Sequence, residues 1–281
     1  MKLLACTLAA FALVLTPGRP AHAREYVDLE LVIATDVSQS IDTGEARLQR
    51  EGIADAFRSK EVIEAISAGM LRRIAVAYLD FSSRQWNKVV IDWRIIQDKE
   101  TAYAFARDLL NSPPTPGRRT SISDALTQGA EMLASNDIEG TRRTIDVSGD
   151  GPNNFGRLVD TVRDETLAKG IVINGLPIIN NNGGIGSRFN LPDLDLYYRG
   201  CVIGGPGAFV IVANSFEDFA RAIRRKLILE ISGLEPPKHP HIVHVAMDPP
   251  RDVRPSPAGY TYKKGCDIGE RLRDSYWIDD N

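Results

Sequence analysis

One stretch of this chain, residues 27–35 (VDLELVIAT), becomes wholly apolar before a polar turn, and another, 171–179 (IVINGLPII), has nearly continuous apolar character. A strand apolar on both faces implies a sheet covered by helices on both sides. Helical spacing follows the first stretch directly, with Ile53, Phe57, Val62 and Ile66 falling on one side of residues 45–66. Residues 73–81 (RIAVAYLDF) and 88–96 (KVVIDWRII) read as two strands joined by a tight polar link, hence a hairpin. Helices are expected at 101–110 and 123–134, a strand at 143–147, and a helix at 155–169 with Leu158, Val162 and Leu167 on one side. A Gly/Asn-rich loop, 180–207, leads to a last strand at 208–212. The last helix, 216–232, carries Phe216, Phe219, Ala220, Ile223, Leu227 and Ile231 as a stripe, with Arg221, Arg224 and Arg225 away from it. This order predicts an α/β fold: a doubly wound, mostly parallel sheet with one antiparallel edge strand and helices on both faces.

The N-terminus reads as a signal peptide, residues 1–23. Lys2 precedes an apolar run over 3–15, too short to span a bilayer; a Thr16-Pro17-Gly18 breaker and Ala21-His22-Ala23 follow, so cleavage is expected after Ala23. Cys6 lies inside the apolar run, too early for a lipid-attachment cysteine, and a soluble exported protein is the reading. No later segment approaches the ~20 apolar residues of a spanning helix. Cleavage removes Lys2 and Arg19 and no acid, leaving 32 basic against 37 acidic residues. A net charge of −5 gives no basic face for nucleic acid. Residues 24–233 are read as one domain, and the proline-rich residues 234–281 as an irregular extension packed on it. Cys201 and Cys266 remain after cleavage; in an oxidising compartment they can pair, the alternative being two buried thiols.

In open α/β sheets the working site lies at the carboxyl ends of the strands. Three turns there are rich in oxygen. Asp36-Val37-Ser38-Gln39-Ser40 ends the first strand, and alternation directs Asp36, Ser38 and Ser40 to one side. Thr120 stands in the turn before the 123–134 helix, and Asp150 lies just past the 143–147 strand between glycines. Two carboxylates and three hydroxyls suit Mg²⁺, Mn²⁺ or Ca²⁺ and disfavour copper or zinc. Asp and Ser also cap helices, so each turn alone carries little and their conjunction carries the reading. Asp146 lies inside its strand and is set aside as a ligand, while Asp42 and Asp124 read as caps or outer hydrogen-bond acceptors.

The pattern Asp36-x-Ser38-x-Ser40, then Thr120, then Asp150-Gly151 resembles the metal-ion-dependent adhesion site of von Willebrand factor A domains, over about residues 25–233. The wording DVSQSID and YYRGCVIGGPGAFV is also similar to an uncharacterised bacterial domain-of-unknown-function family of exported proteins of that type. The resemblance implies that the serines and threonine touch the metal and the aspartates act directly or through water. It implies a binding module in which the ion accepts an Asp or Glu carboxylate from a partner protein.

Arg188, Tyr197, Tyr198 and Arg199 lie in the 180–207 loop on the same side, and are candidates for reading the partner, against a plain flexible connection. His239, His241 and His244 flank or follow a proline with no adjacent acid or cysteine, so exposed polar residues are the default over a zinc site. Two other readings use the same ion. A metal-assisted hydrolase would activate water, yet no histidine lies near the three turns, and neither a Gly-x-Ser-x-Gly elbow nor a phosphate loop is present. A purely structural ion would only stiffen this face.

Overall fold

The computed structural model describes residues 24–179, 191–234, 253–255 and 260–279. In chain order the elements are β1 (Glu25–Val27), β2 (Leu29–Asp36), α1 (Thr43–Arg58), α2 (Lys60–Ser67), β3 (Ile74–Phe81), β4 (Lys88–Ile96), α3 (Lys99–Leu110) and α4 (Ile122–Ser135). Next come β5 (Ile138–Gly140), β6 (Arg143–Gly149), α5 (Val159–Leu167), β7 (Val172–Pro177), α6 (Leu194–Tyr197), β8 (Phe209–Ile211), α7 (Phe219–Ser232), β9 (Val253–Pro255) and α8 (Ile268–Asp279).

The main sheet runs β4-β3-β2-β6-β7-β8-β9 and is parallel from β3 to β8. The hairpin strand β4 is antiparallel at one edge, as expected, and short β9 adds an antiparallel pair at the other. Side chains alternate between two cores. Leu31 and Ile33 face α1, α2, α3 and α7, whereas Val32 and Ala34 face α4, α5 and the segment after residue 191. The register fixes the height of the strand ends: Asp36 pairs with Phe81, Thr35 with Ser148, and Gly149 with Pro177, so four of them stand level.

Some boundaries differ from expectation for local reasons. The helix expected over 45–66 is two helices, because Ser59 takes an extended conformation, donates to the Ala56 carbonyl at 2.6 Å and caps α2 by accepting from Val62 N at 3.3 Å. The long loop contains α6 and a wide helical turn through Val202. Its face of Leu194, Tyr197, Tyr198, Cys201 and Val202 is fully buried, which is why it folds. The extension is irregular apart from β9 and α8 among its described residues. Cys201 and Cys266 form a disulfide with Cα atoms 5.4 Å apart, which ties the extension to that helical turn and excludes the free-thiol alternative.

Candidate metal centre

Asp36 is the last residue of β2, and the chain passes through Ser38 and Ser40 before Asp42 caps α1. Ser38 N donates to Asp36 Oδ1 at 2.8 Å, and the Ser38 and Ser40 hydroxyls lie 3.1 Å apart. The Ser40 hydroxyl donates to Asp150 Oδ1 at 2.7 Å; Thr120 Oγ1 donates to Ser38 Oγ at 3.1 Å. The five side chains thus form one continuous set of contacts drawn from three separate turns. All are buried except Ser40, which is half-buried.

Level strand ends bring β2 and β6 side by side, and Gly149 makes the close approach possible. A Cβ there would stand 3.0 Å from Asp36 Oδ2 and 3.2 Å from the Tyr198 hydroxyl. The Thr120 turn is fixed from two sides. The Ser82 hydroxyl donates to the Arg119 carbonyl at 2.6 Å, and Asn154 pairs with Thr120 through Thr120 N to Asn154 Oδ1, 3.0 Å, and Asn154 N to Thr120 O, 2.8 Å. Asn153 Oδ1 accepts from Ser123 N at 3.0 Å, in the first turn of α4. Ser82, Asn153 and Asn154 escape a reading of the sequence alone; the Asn pair immediately after Asp150-Gly151-Pro152 is the visible cue.

Burial, and then the charge of Asp150, holds the Asp36 carboxyl well above the usual carboxylate range. Burial pushes Asp150 up to about 6, against the Ser40 hydroxyl that lowers it, with Glu45 raising it further. Asp36 Oδ2 is buried and has no hydrogen-bond partner among the described residues. Two desolvated acids, one with an orphaned oxygen, and three hydroxyls make a donor set that fits a hard divalent cation. Among the described residues no three His, Cys, Asp or Glu side chains cluster as a metal site, so such an ion would depend on the hydroxyls.

The other candidates separate. Asp124 Oδ2 accepts from Arg84 N at 3.0 Å, and Asp42 accepts from Glu45 N at 2.8 Å as a cap. Asp146 faces the opposite core, 2.7 Å from Lys226 Nζ. Tyr197 and Tyr198 correct the partner-loop expectation: both are fully buried, so their rings are core groups and cannot touch a partner. Arg199 stacks over Tyr260 with 5.4 Å to the ring centroid. Arg188, residues 1–23 and the three C-terminal histidines lie outside the described residues.

No curated protein matches the chain by sequence. Residues 26–235 match the family described as "Protein of unknown function (DUF1194)". Among solved structures, proximal thread matrix protein 1 from the mussel byssus is similar at TM-score 0.53 and 17% identity, over 75% of this chain and 50% of that one. Another form of it, described with a zinc-occupied MIDAS motif, gives 0.52 and 15%, over 74% and 49%. The pilus adhesin SpaC from Lactobacillus rhamnosus GG gives 0.53 and 13%, over 74% of this chain and 31% of the adhesin. The chain therefore spans about half the mussel protein and a third of the adhesin, and at these identities the likeness is one of fold.

Proposed function

The chain belongs to the DUF1194 family and has a von Willebrand factor A-like fold, and from these premises we propose that it is an exported module that binds a partner protein through a divalent cation. Asp36, Ser38, Ser40, Thr120 and Asp150 would hold the ion. The observation that carries this is the pair of buried carboxylates, brought together from β2 and the end of β6, whose neighbours are hydroxyls and not bases. Such a bound ion supplies positive charge and a coordination position open to an oxygen from outside.

The hydroxyls orient without neutralising, so the cage stays roughly neutral with a divalent ion, and an Asp or Glu of the partner is the matching group. Mg²⁺ is the ion proposed, with Mn²⁺ and Ca²⁺ compatible; an all-oxygen set favours these over the zinc described in the mussel protein. The adhesin among the similar structures supports a binding role, and Asp36 and Asp150 are both assigned to the cage, so the reading is non-enzymatic. Export is supported by the Cys201–Cys266 disulfide, a bond that persists in oxidising compartments. Among the described residues no helix is long and apolar enough to cross a membrane.

The test is calorimetric titration of the mature protein with Mg²⁺ and Mn²⁺, alongside capture from an envelope extract with and without chelator. Wild type should take up one equivalent and retain a partner only with metal, and Asp36→Ala should do neither. A partner held equally by Asp36→Ala, or in chelator, would remove the reading.

A further inference from the structure

The C-terminal extension reaches the turn that follows Asp150. The Asn153 side-chain amide donates to Glu270 Oε1 at 2.7 Å, and Arg273 donates to the Asn154 carbonyl at 2.7 Å, both partners lying on α8. Gly269 lies against this turn so closely that a Cβ there would overlap the Asn153 carbonyl, so the α8 backbone itself packs on it. A third connection runs through Tyr197, whose hydroxyl accepts from Asn153 N at 3.1 Å and donates to the Cys266 carbonyl at 3.4 Å. Cys266 in turn is bonded to Cys201.

These attachments converge on Asn153 and Asn154, the residues that join the Asp150 turn to Thr120 and to the start of α4. Tyr260, Tyr262, Cys266 and Ile268 pack against the second core as well, while the hydrogen bonds from Glu270 and Arg273 fall on this turn. The brace also lies beyond residue 235, where the family match ends.

We propose that α8, anchored by the disulfide, positions the Asp150 and Thr120 turns and thereby sets the affinity for the cation, with Glu270 and Arg273 as positioning residues. This rests on the metal reading above. Outer hydrogen-bond partners of metal ligands typically change affinity 10–100-fold when removed. Glu270 and Arg273 act one step further out, through the asparagines, so an effect on the order of tenfold is expected.

The experiment uses the full mature chain and two readouts. Metal-free amide exchange should speed up at Ser123, Asn153 and Asn154 in Glu270→Ala, in Arg273→Ala and in the Cys201→Ser/Cys266→Ser double variant, with β2 and β6 amides unchanged. Manganese titration should show Kd raised about tenfold in these variants, and unchanged in Arg271→Ala, which lies on the same helix but donates to the Lys264 carbonyl. If the double cysteine variant does not fold, the two α8 variants decide. Unchanged exchange at all three amides overturns the brace, as does a wild-type Kd in Glu270→Ala and Arg273→Ala. A wild type that binds no manganese sinks the metal reading alone, and exchange then still decides the brace.

Discussion

The strand β6 and its end carry two buried aspartates, Asp146 and Asp150, and the chain treats them oppositely. Asp146 faces the α7 side, where Lys226 Nζ stands 2.7 Å away and is also paired with Glu230. Asn174 donates to Glu230 at 2.8 Å and accepts from Phe209 N at 3.0 Å, fixing the set in place. At the strand end, Asp36 accepts from Ser38 N and Asp150 from the Ser40 hydroxyl, the two linked through the Ser38 and Ser40 hydroxyls, and neither has an ion-pair partner among the described residues. The first cluster holds its own cation, one lysine for two acids, although Asp146 Oδ2 and Glu230 Oε2 also lack a hydrogen-bond partner among the described residues. A cluster without a cation must stay protonated or draw one from solution, and that difference separates a structural cluster from a binding site.

The largest expected effect comes from removing the internal cation. Lys226→Met keeps the volume but leaves Asp146 and Glu230 buried without compensation, at a cost of about 3–5 kcal/mol in urea unfolding. Asp36→Asn removes an uncompensated charge, and in metal-free protein it should cost under ~1 kcal/mol or stabilise. Similar costs for both would erase the comparison.

Stability against pH sharpens it next. Burial and the Glu230 charge push Asp146 up to about 7 even with Lys226 beside it, and Asp150 stands at about 6. A raised folded-state pKa gives stability that is full below the ordinary carboxylate range and lost as pH rises through the folded value. Metal-free protein should therefore weaken from about pH 4 to pH 7. Magnesium at a hundred times its Kd should restore about 2.7 kcal/mol at pH 8 and less at pH 5, where protons compete. Scanning calorimetry should find this increment intact in Asp146→Asn and absent in Asp150→Asn; an increment surviving Asp150→Asn would place the ion elsewhere.

The sheet and the convergence of Asp36, Ser38, Ser40, Thr120 and Asp150 were legible because both stem from period and position: apolar strands of known direction end level, and polar residues just past them converge. The Lys226 cluster was hidden by residue type. Lys226 and Glu230 sit at the same three- and four-residue spacing as Ile223, Leu227 and Ile231, so spacing alone would have placed them in the core. Tyr197 and Tyr198 read as exposed because Gly and Asn dominate the segment before them, which masks a short helical turn with a wholly buried face. Helix α8 carries only a short apolar row, Ile268, Leu272 and Tyr276, at the end of a proline-rich stretch; Ile268 packs on the second core, and the rest of its hold is the polar contacts to Asn153 and Asn154 and the disulfide just before it. Such an element exists through long-range partners, which no local pattern encodes.

The smallest effect tests whether the two acid clusters are independent at all. The Tyr198 hydroxyl is buried without a hydrogen-bond partner among the described residues, and burial together with the charges of Asp36, Asp150 and Asp146 drives its pKa up. It therefore senses both clusters. Tyr198→Phe deletes a polar atom that makes no described hydrogen bond, so metal-free stability should stay within about 1 kcal/mol of wild type or rise. The informative quantity is its combination with Asp36→Asn and, separately, with Asp146→Asn in double-mutant cycles read by urea unfolding. Independent clusters predict additivity within ~0.5 kcal/mol in both cycles. A coupling above ~1 kcal/mol in both would mean that Tyr198 joins them into one network, so that Lys226 reaches the strand end after all.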